Sequence, residues 1–241
     1  MSIIATSNVL LRRLEPAVLA RFRERLHMVD LTRGEVLQEA GDEVAWVYFP
    51  ESGLISLASE TLAGESVSGE VVGSDGALGV FEACGSRRTF ARAVVQIPGT
   101  AWRARAATYR EMFDQSASLR EAVHKHVEVL LVESRQLMAC NAIHTVESRL
   151  ARTVLDSVDR SGCGPLLPLT QEALAQMLGV QRSTVTLCAA ALQRARLIRT
   201  VRGAIEVLDR PGLEKAACTC RGTIAFARDE IHASLADVCE A

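Results

Sequence analysis

The residue types best suited to chemistry lie just after Gly179, at the start of an apolar helical pattern. The stretch "QRSTVT" at 181–186 supplies an amide, a guanidinium and three hydroxyl groups. In contacts with DNA, arginine binds guanine or a phosphate, glutamine pairs with adenine, and hydroxyls bond to phosphates or bases. This composition predicts contact with nucleic acid. The alternative interpretation is a generic helical hairpin with a solvated arginine face.

Two helices joined by a tight turn have to position these side chains. Thr170 predicts the N-cap of the first helix, and Glu172 lies in its first turn, where the helix dipole favours an acid. Gly179 suits a left-handed turn, and Val180 is placed to fill the space between the helices. A second helix follows from Arg182 to Ala195. Helical spacing predicts that its buried face comprises Val185, Cys188, Ala189 and Leu192.

A hairpin after the helix pair adds to the nucleic-acid interpretation. Two short strand patterns flank Arg202-Gly203, which places Arg202 at the tip of a wing that meets phosphates. Between Thr170 and Arg202 the chain has five arginines and one acid, although its formal net charge is −2. Such local positive charge favours a polyanion. The predicted DNA-binding residues are Thr170, Gln171, Gln181, Arg182, Ser183, Thr184, Thr186, Leu187 and Arg202.

Composition limits the class of protein. The chain has 241 residues, 49% of them hydrophobic, which is enough for one large domain or two small ones. No run approaches the ~18 apolar residues of a membrane span, and the N-terminus lacks the pattern of a secretory signal. Seven cysteines, an odd number, fit reduced thiols. We therefore expect a cytoplasmic protein with no membrane partner.

The distribution of strand-like and helical patterns along the chain predicts an α+β fold. Short alternating runs and frequent turn signals from Val29 to Trp102 predict antiparallel strands in a barrel, roll or sandwich. An amphipathic helix is predicted at 8–27. A helical pattern without glycine or proline runs from Tyr109 to about Asn141, and another runs from about Thr145 to Arg160. The tail from Pro211 to Ala241 also has a helical pattern.

The long helical pattern carries a heptad-like seam with a 4-3-4-3-4 spacing. One interpretation is an ordinary core helix, and the other is a dimer seam. Polar residues within the apolar stripe favour the dimer, because such residues fix the register of a helix pair. The predicted seam comprises Val123, Val127, Leu130, Ser134, Leu137 and Asn141.

The order of these parts resembles the Crp/Fnr family of bacterial transcription factors over roughly residues 8–210. The resemblance is carried by "RGEVLQEAGDEVAWVYFPESGLISL" at 33–57, "GALGVFE" at 76–82, "SRLARTVLDSV" at 148–158 and "LTQEALAQMLGVQRSTVT" at 169–186. It implies an N-terminal, jelly-roll-like antiparallel β-roll of the cyclic-nucleotide-binding type, a long dimerisation helix and a C-terminal winged helix-turn-helix. The implied domains are the sensor roll at 1–110, the dimerisation helix at 111–142 and the DNA-binding domain with its helical tail at 143–241.

The resemblance also implies partners and a mode of reading. A homodimer would bind double-stranded DNA and, if it is an activator, RNA polymerase. Arg182 matches the family's main DNA-contacting arginine. Ser183 stands where the family often has glutamate, and Leu187 stands where a second arginine is common. We therefore expect an operator that differs from the usual family site, with Leu187 suited to a thymine methyl group.

The resemblance implies a sensor pocket whose effector is unknown and for which no cofactor is required. Its candidate residues are Gly76, Leu78, Arg87, Arg88, Thr89 and Ser134. Ala77 stands where relatives that bind cyclic AMP have the glutamate that holds the ribose, so a cyclic nucleotide is the less favoured effector. For Arg87 and Arg88 a solvated hairpin tip is the preferred interpretation.

Metal and enzyme interpretations are weaker. Since no cysteine precedes Cys84, an iron–sulfur centre near the N-terminus is not expected, and no pattern marks His27, His124, His126 or His144 as a haem ligand. Cys218 and Cys220, with a distant Cys239, are too few for a closed metal site, so idle thiols and no metal are predicted. The strand-rich region holds no histidine, which argues against a cupin-like enzyme. A sensing or protein-binding module that has lost DNA binding remains the alternative function.

Overall fold

The structure is a computed structural model that describes residues 6–233, so Cys239 and the end of the predicted tail helix lie outside the described residues. The helices are α1 (Val9–Arg12), α2 (Pro16–Arg23), α3 (Ala106–Gln115), α4 (Ala117–Ile143), α5 (Val146–Ser161), α6 (Gln171–Leu178), α7 (Arg182–Arg194), α8 (Arg210–Ala216) and α9 (Cys220–Ala233). The strands are β1 (His27–Leu31), β2 (Val36–Gln38), β3 (Trp46–Pro50), β4 (Leu54–Glu60), β5 (Ser66–Val72), β6 (Arg92–Ile97), β7 (Gly99–Arg105), β8 (Leu166–Leu167), β9 (Ile198–Val201) and β10 (Ala204–Val207). The α+β fold class is confirmed.

Two antiparallel sheets form the N-terminal roll. One has the order β1-β7-β3 and the other the order β2-β6-β4-β5. Alternate residues point inward and fill the space between the sheets; they include Leu31, Tyr48, Ile55, Val72, Val95 and Ala101. Gly53 joins β3 to β4 at φ +86°, and a Cβ there would lie 2.7 Å from the carbonyl oxygen of Ile97, so only glycine fits this turn.

The N-terminal helices and α3 cover the outer side of the smaller sheet. Phe22, Phe49 and Tyr109 form the centre of this second core, with the rings of Phe22 and Phe49 edge to face at 5.7 Å. The sequence predicted one helix at 8–27, whereas two short helices, α1 and α2, occupy it. This core fixes α3 and the first turns of α4 against the roll.

The long helical pattern is divided at Ser116, whereas the sequence predicted one helix from Tyr109 to about Asn141. The Ser116 backbone is extended, with φ −117° and ψ 114°, and its hydroxyl accepts a hydrogen bond from the backbone N–H of Leu119 at 3.2 Å. Serine is a good N-cap but is also common inside helices, so the pattern alone carried no sign of the break. The 27-residue α4 therefore begins at a defined cap.

The C-terminal part is a helical domain with a three-stranded wing of order β8-β10-β9. Its core is formed by residues of α5, α6, α7 and the wing, among them Leu150, Leu174, Leu192 and Ile205. Leu54 and Ile97 of the roll belong to the same core, so this domain packs directly onto the roll. Helix α9 then returns along α4. Within the described ranges, no helix combines the length and apolar character that crossing a membrane requires.

Candidate nucleic-acid interface, effector cavity and thiol cluster

The helix pair has the local structure that the sequence predicted. The hydroxyl of Thr170 accepts a hydrogen bond from the backbone N–H of Ala173 at 3.1 Å and caps α6. Gly179 ends α6 in the left-handed conformation at φ +63°, and Val180 packs against the domain core. Helix α7 begins two residues later. The turn thus sets the two helices as a helix-turn-helix requires.

One side of α7 is buried and its first turns are open. Val185, Ala189 and Leu192 are buried as predicted, and Cys188 is half-buried. The opposite side exposes a mixed polar and apolar set; its members are Gln181, Arg182, Ser183, Thr186 and Leu187. Leu187 is 72% exposed, so packing within this chain does not account for it.

A hydrogen bond joins the two helices at this face. The hydroxyl of Thr186 lies 2.7 Å from the amide oxygen of Gln171, to which it donates, and 3.0 Å from the carbonyl oxygen of Arg182. With its oxygen engaged, Gln171 keeps its amide nitrogen as a hydrogen-bond donor for another group. Gln171 and Thr186 therefore act as one unit.

The guanidinium groups around this face are free to bind anions. Arg202 is exposed at the tip of the β9–β10 hairpin, beside Gly203 at φ +73°. Arg199 is the exception, because it pairs with Glu206 on the neighbouring strand. Four arginines of this region form no ion pair with any residue that the structure describes; they are Arg182, Arg194, Arg196 and Arg202.

A cavity of about 360 Å³ lies between the larger sheet of the roll and α4. Its walls combine aromatic and aliphatic side chains with three carboxyl groups; they include Leu57, Glu70, Phe81, Glu82, Phe90, Leu130, Glu133, Ser134 and Leu137. Among the predicted effector residues only Ser134 lines it.

The other predicted effector residues serve the fold. Arg87 and Arg88 lie on an exposed turn, where Arg88 donates to the carbonyl oxygen of Gly41 at 2.8 Å, as a hairpin tip implies. The buried hydroxyl of Thr89 donates to the carbonyl oxygen of Ala91 at 3.0 Å. Leu78 is buried and pairs with Tyr48 through the backbone. A Cβ at Gly76 would lie 2.9 Å from the ring of His126.

The described walls of the cavity carry carboxyl groups and no cationic group. Burial, followed by the charge of Glu133, raises the pKa of Glu70 to about 7. Burial also raises the pKa of Glu82. Neither arginine nor lysine is among the described lining residues. The predicted phosphate site at Arg87 to Thr89 thus lies outside the cavity, and the residues present do not fit a cyclic nucleotide.

The residues of the predicted dimer seam do not share one exposed face of α4. Val123 is 2% exposed and belongs to the core of the roll, while Leu130 and Leu137 face the cavity. The outward side of α4 instead presents Leu131, which is 51% exposed, and Met138, which is 70% exposed. Leu131 and Met138 lie between three residues of the predicted seam, and the five together follow a heptad spacing. The three seam residues are Val127, Ser134 and Asn141.

A buried ion network joins the roll, α4 and the C-terminal helical domain. Arg160 of α5 is 6% exposed and pairs with Glu133 of α4 and, at 3.3 Å, with Asp75 of the roll. Although burial lowers the pKa of Arg160, these two carboxylates outweigh burial, so the pKa is raised. Arg160 also donates to the carbonyl oxygen of Val71 at 3.0 Å. Sequence reasoning missed this network because its members are far apart in the chain.

Cys218 and Cys220, predicted to be too few for a closed metal site, have two further potential ligands beside them in the structure. Cys140, in the last turn of α4, and His144, directly after it, lie beside both thiols. The side-chain ligand atoms of the four residues all lie within 4.8 Å of one another. Burial and the neighbouring Cys218 thiol raise the pKa of Cys140 to about 12. The Cys-x3-His and Cys-x-Cys spacings were the signals for this cluster, but 73 residues separate them in the sequence.

Comparisons with known proteins agree with this architecture. Residues 148–216 match the Crp-like helix-turn-helix domain. A solved structure from Eubacterium rectale, assigned to the Crp/Fnr family of transcriptional regulators, has 17% identity and a TM-score of 0.66, and the match covers 87% of this chain and 98% of that one. No curated protein matches the chain.

Two further solved structures are similar. FixK2 from Bradyrhizobium japonicum has 13% identity and a TM-score of 0.69 over 80% of this chain and 98% of its own. The c-di-GMP-responsive global regulator CLP from Xanthomonas campestris has 17% identity and a TM-score of 0.64 over 80% of this chain and 99% of its own. At these identities the likeness shows a shared fold.

Proposed function

From a Crp-like helix-turn-helix domain set in the fold of the Crp/Fnr transcription regulators, we propose that this chain is a homodimeric, sequence-specific DNA-binding regulator of the cytoplasm. The observation that carries the proposal is the unpaired charge around α7. Arg182, Arg194 and Arg202 are exposed without an ion-pair partner among the described residues. In a chain of net negative charge, such a cluster is suited to a polyanion.

The start of α7 supplies the groups that read base edges. If α7 enters the major groove with its N-terminus first, Arg182 would reach a guanine or a phosphate, and Ser183 would reach a phosphate. The side-chain amide of Gln171, oriented by Thr186, would donate a hydrogen bond to the DNA backbone next to it. Arg202 on the wing would meet the flanking phosphates. In a two-fold dimer the two helices would reach half-sites about 34 Å apart.

The outward side of α4 would form the dimer interface. The large apolar side chains of Leu131 and Met138 are exposed to solvent in the single chain, and α4 of a second chain would cover them. Ser134 and Asn141 within that stripe would fix the register. We therefore place the seam at Val127, Leu131, Ser134, Met138 and Asn141.

The cavity of the roll would hold an effector other than a cyclic nucleotide. Phe81 and Phe90 offer apolar surface, and the described lining residues include no arginine or lysine that would bind a phosphate. A small neutral or cationic molecule with an apolar body fits these walls.

Selection of bound sequences from a random DNA pool tests the function. We expect the full-length chain to enrich a two-fold symmetric site, with or without cyclic AMP. Arg182→Ala should weaken binding to that site by about 5- to 100-fold, the range of one lost base contact. The control is Arg33→Ala, an exposed arginine of the roll. If no sequence is enriched even at low salt, the chain is a module without DNA-reading function.

A further inference from the structure

We propose that Cys140, His144, Cys218 and Cys220 bind one Zn²⁺ ion in a closed, tetrahedral site. The site is independent of the DNA-binding proposal, because none of the four residues lies on the α7 face or in the cavity of the roll.

The spacing of the four ligand atoms fits a single ion. The sulfur atoms of Cys140 and Cys218 are 3.5 Å apart, and the sulfur of Cys220 lies 3.5 Å from Nδ1 of His144. Two ligands at Zn–S distances of ~2.3 Å and a tetrahedral angle are about 3.8 Å apart. No two of the four ligand atoms are more than 4.8 Å apart, so small side-chain rotations would complete a tetrahedral arrangement around the ion. An iron–sulfur cluster is larger and holds its cysteine sulfurs farther apart.

The surroundings of the thiols distinguish a site from ordinary packing. Idle buried cysteines behave as small apolar side chains and pack within a hydrophobic core. Cys140, Cys218 and Cys220 instead form a buried cluster of their own, separate from the three apolar cores of the described chain. His144 closes the cluster from its half-buried edge, and neutral imidazole is a common Zn²⁺ ligand.

Neighbouring groups complete the coordination environment. The amide nitrogen of Gln136 donates to the sulfur of Cys220 at 3.1 Å, and the backbone N–H of Cys218 donates to the carbonyl oxygen of Ser148 at 3.3 Å. Binding of Zn²⁺ replaces the three thiol protons, which pass to solvent. Three thiolates and one Zn²⁺ leave a single negative charge, and the buried guanidinium of Arg152 is close enough to interact with Cys140 and Cys218.

The position of the site gives the ion a mechanical role. Cys140 and His144 lie where α4 ends at residue 143 and α5 begins at residue 146. Cys218 and Cys220 lie at the start of α9, which returns along α4. A bound ion would tie the C-terminal helix to the junction between α4 and α5. Zn²⁺ would thereby hold these three helices together.

Titration of the metal-free, reduced full-length chain with Co²⁺ tests the site. We expect saturation at one equivalent, the visible bands of tetrahedral Co²⁺ and a thiolate-to-cobalt charge-transfer band, all removed by one equivalent of Zn²⁺. Cys140→Ser and Cys218→Ser should each weaken Co²⁺ binding by at least about tenfold. Cys163→Ser, at an exposed thiol outside the cluster, is the matched control and should titrate like the wild type.

A second measurement does not depend on how the variants fold. In the wild type, one equivalent of Zn²⁺ should protect three thiols from alkylation, and peptide mapping should identify them as Cys140, Cys218 and Cys220. Absence of a tetrahedral Co²⁺ spectrum would overturn the proposal. So would protection of other cysteines, or a Cys140–Cys218 disulfide that forms in place of metal binding. Each result holds whether or not the chain binds DNA.

Discussion

Leu187 is an apolar residue that lies outside the cores of the described chain. It is 72% exposed on the face of α7 that carries Arg182 and Ser183, whereas Leu192 of the same helix is 1% exposed in the core. A leucine in water at the start of a recognition helix is suited to a thymine methyl group. The two leucines therefore separate a functional effect from a structural one.

We expect Leu187→Ala to leave the free energy of unfolding within about 0.5 kcal/mol of wild type, since the side chain is mostly exposed. The same change should weaken binding to the selected operator by about 3- to 10-fold, less than the loss of the Arg182 contact, because an apolar contact with a thymine methyl group carries no hydrogen bond. Leu192→Ala should instead cost about 2–5 kcal/mol of stability. Urea denaturation and gel shifts measure both. An unaltered operator affinity for Leu187→Ala would contradict the assigned contact.

Glu70 makes the stability of the roll depend on pH. Burial raises its pKa in the folded chain to about 7, above the ordinary value of 4.5. A carboxyl group with a raised folded pKa favours folding below pH 4.5, and this contribution is lost as the pH rises through 7. Glu70→Gln should therefore stabilise the chain relative to wild type at pH 8 by about 1–3 kcal/mol, and much less at pH 5. The exposed Glu60→Gln is the control. Equal effects of Glu70→Gln at both pH values would exclude this explanation.

At the scale of elements, sequence patterns predicted where helices lie better than they predicted which face of a helix is exposed to solvent. The cap at Thr170, the turn at Gly179 and the wing around Arg202 were predicted because each has a local chemical signature. The face that α4 turns to solvent depends on contacts with the roll, which no local pattern encodes. The predicted seam therefore included Leu130 and Leu137, which line the cavity, and omitted Leu131 and Met138.

The dimer that we propose on the outward side of α4 predicts which substitution would separate its subunits. Met138→Glu should raise the dissociation constant of that dimer by at least about tenfold, because it would place a charge in the proposed apolar interface. Helical content should be unchanged, since Met138 is 70% exposed in the single chain. Sedimentation equilibrium gives the constants, and Glu121→Gln, exposed near the start of α4, is the control. Dissociation by Leu137→Glu but not by Met138→Glu would restore the seam predicted from the sequence.

At the scale of the whole molecule, the C-terminal helical domain and the N-terminal roll are one packed unit. Leu54 and Ile97 of the roll share a core with Leu174 and Leu192, and α6 packs against β5. The family resemblance predicted both domains but not this contact, because it joins residues about 80 to 140 positions apart. The buried charges have no local signature, and the two halves of the thiol cluster lie far apart in the sequence, so sequence patterns did not bring either group together.

The Arg160 network connects the cavity to this packed arrangement. Glu133 both lines the cavity and pairs with Arg160, whose other carboxylate partner is Asp75. A cationic ligand in the cavity would compete with Arg160 for Glu133. Effector binding would thus weaken the attachment of α5 to α4, provided that the ligand favours the released state over the docked one.

Glu133→Gln tests this connection in the absence of any ligand. Loss of one carboxylate leaves Arg160 buried with Asp75 as its one remaining ion-pair partner among the described residues, so we expect the free energy of unfolding to fall by about 1–3 kcal/mol. Limited proteolysis should then cleave the segment between α5 and α6 faster, because the C-terminal helical domain spends more time undocked. Glu128→Gln, on the exposed side of the same helix, should change neither quantity. If Glu133→Gln matches that control in both measurements, the ion network does not hold the two domains together, and an effector in the cavity would have to act through the apolar contacts of α4 instead.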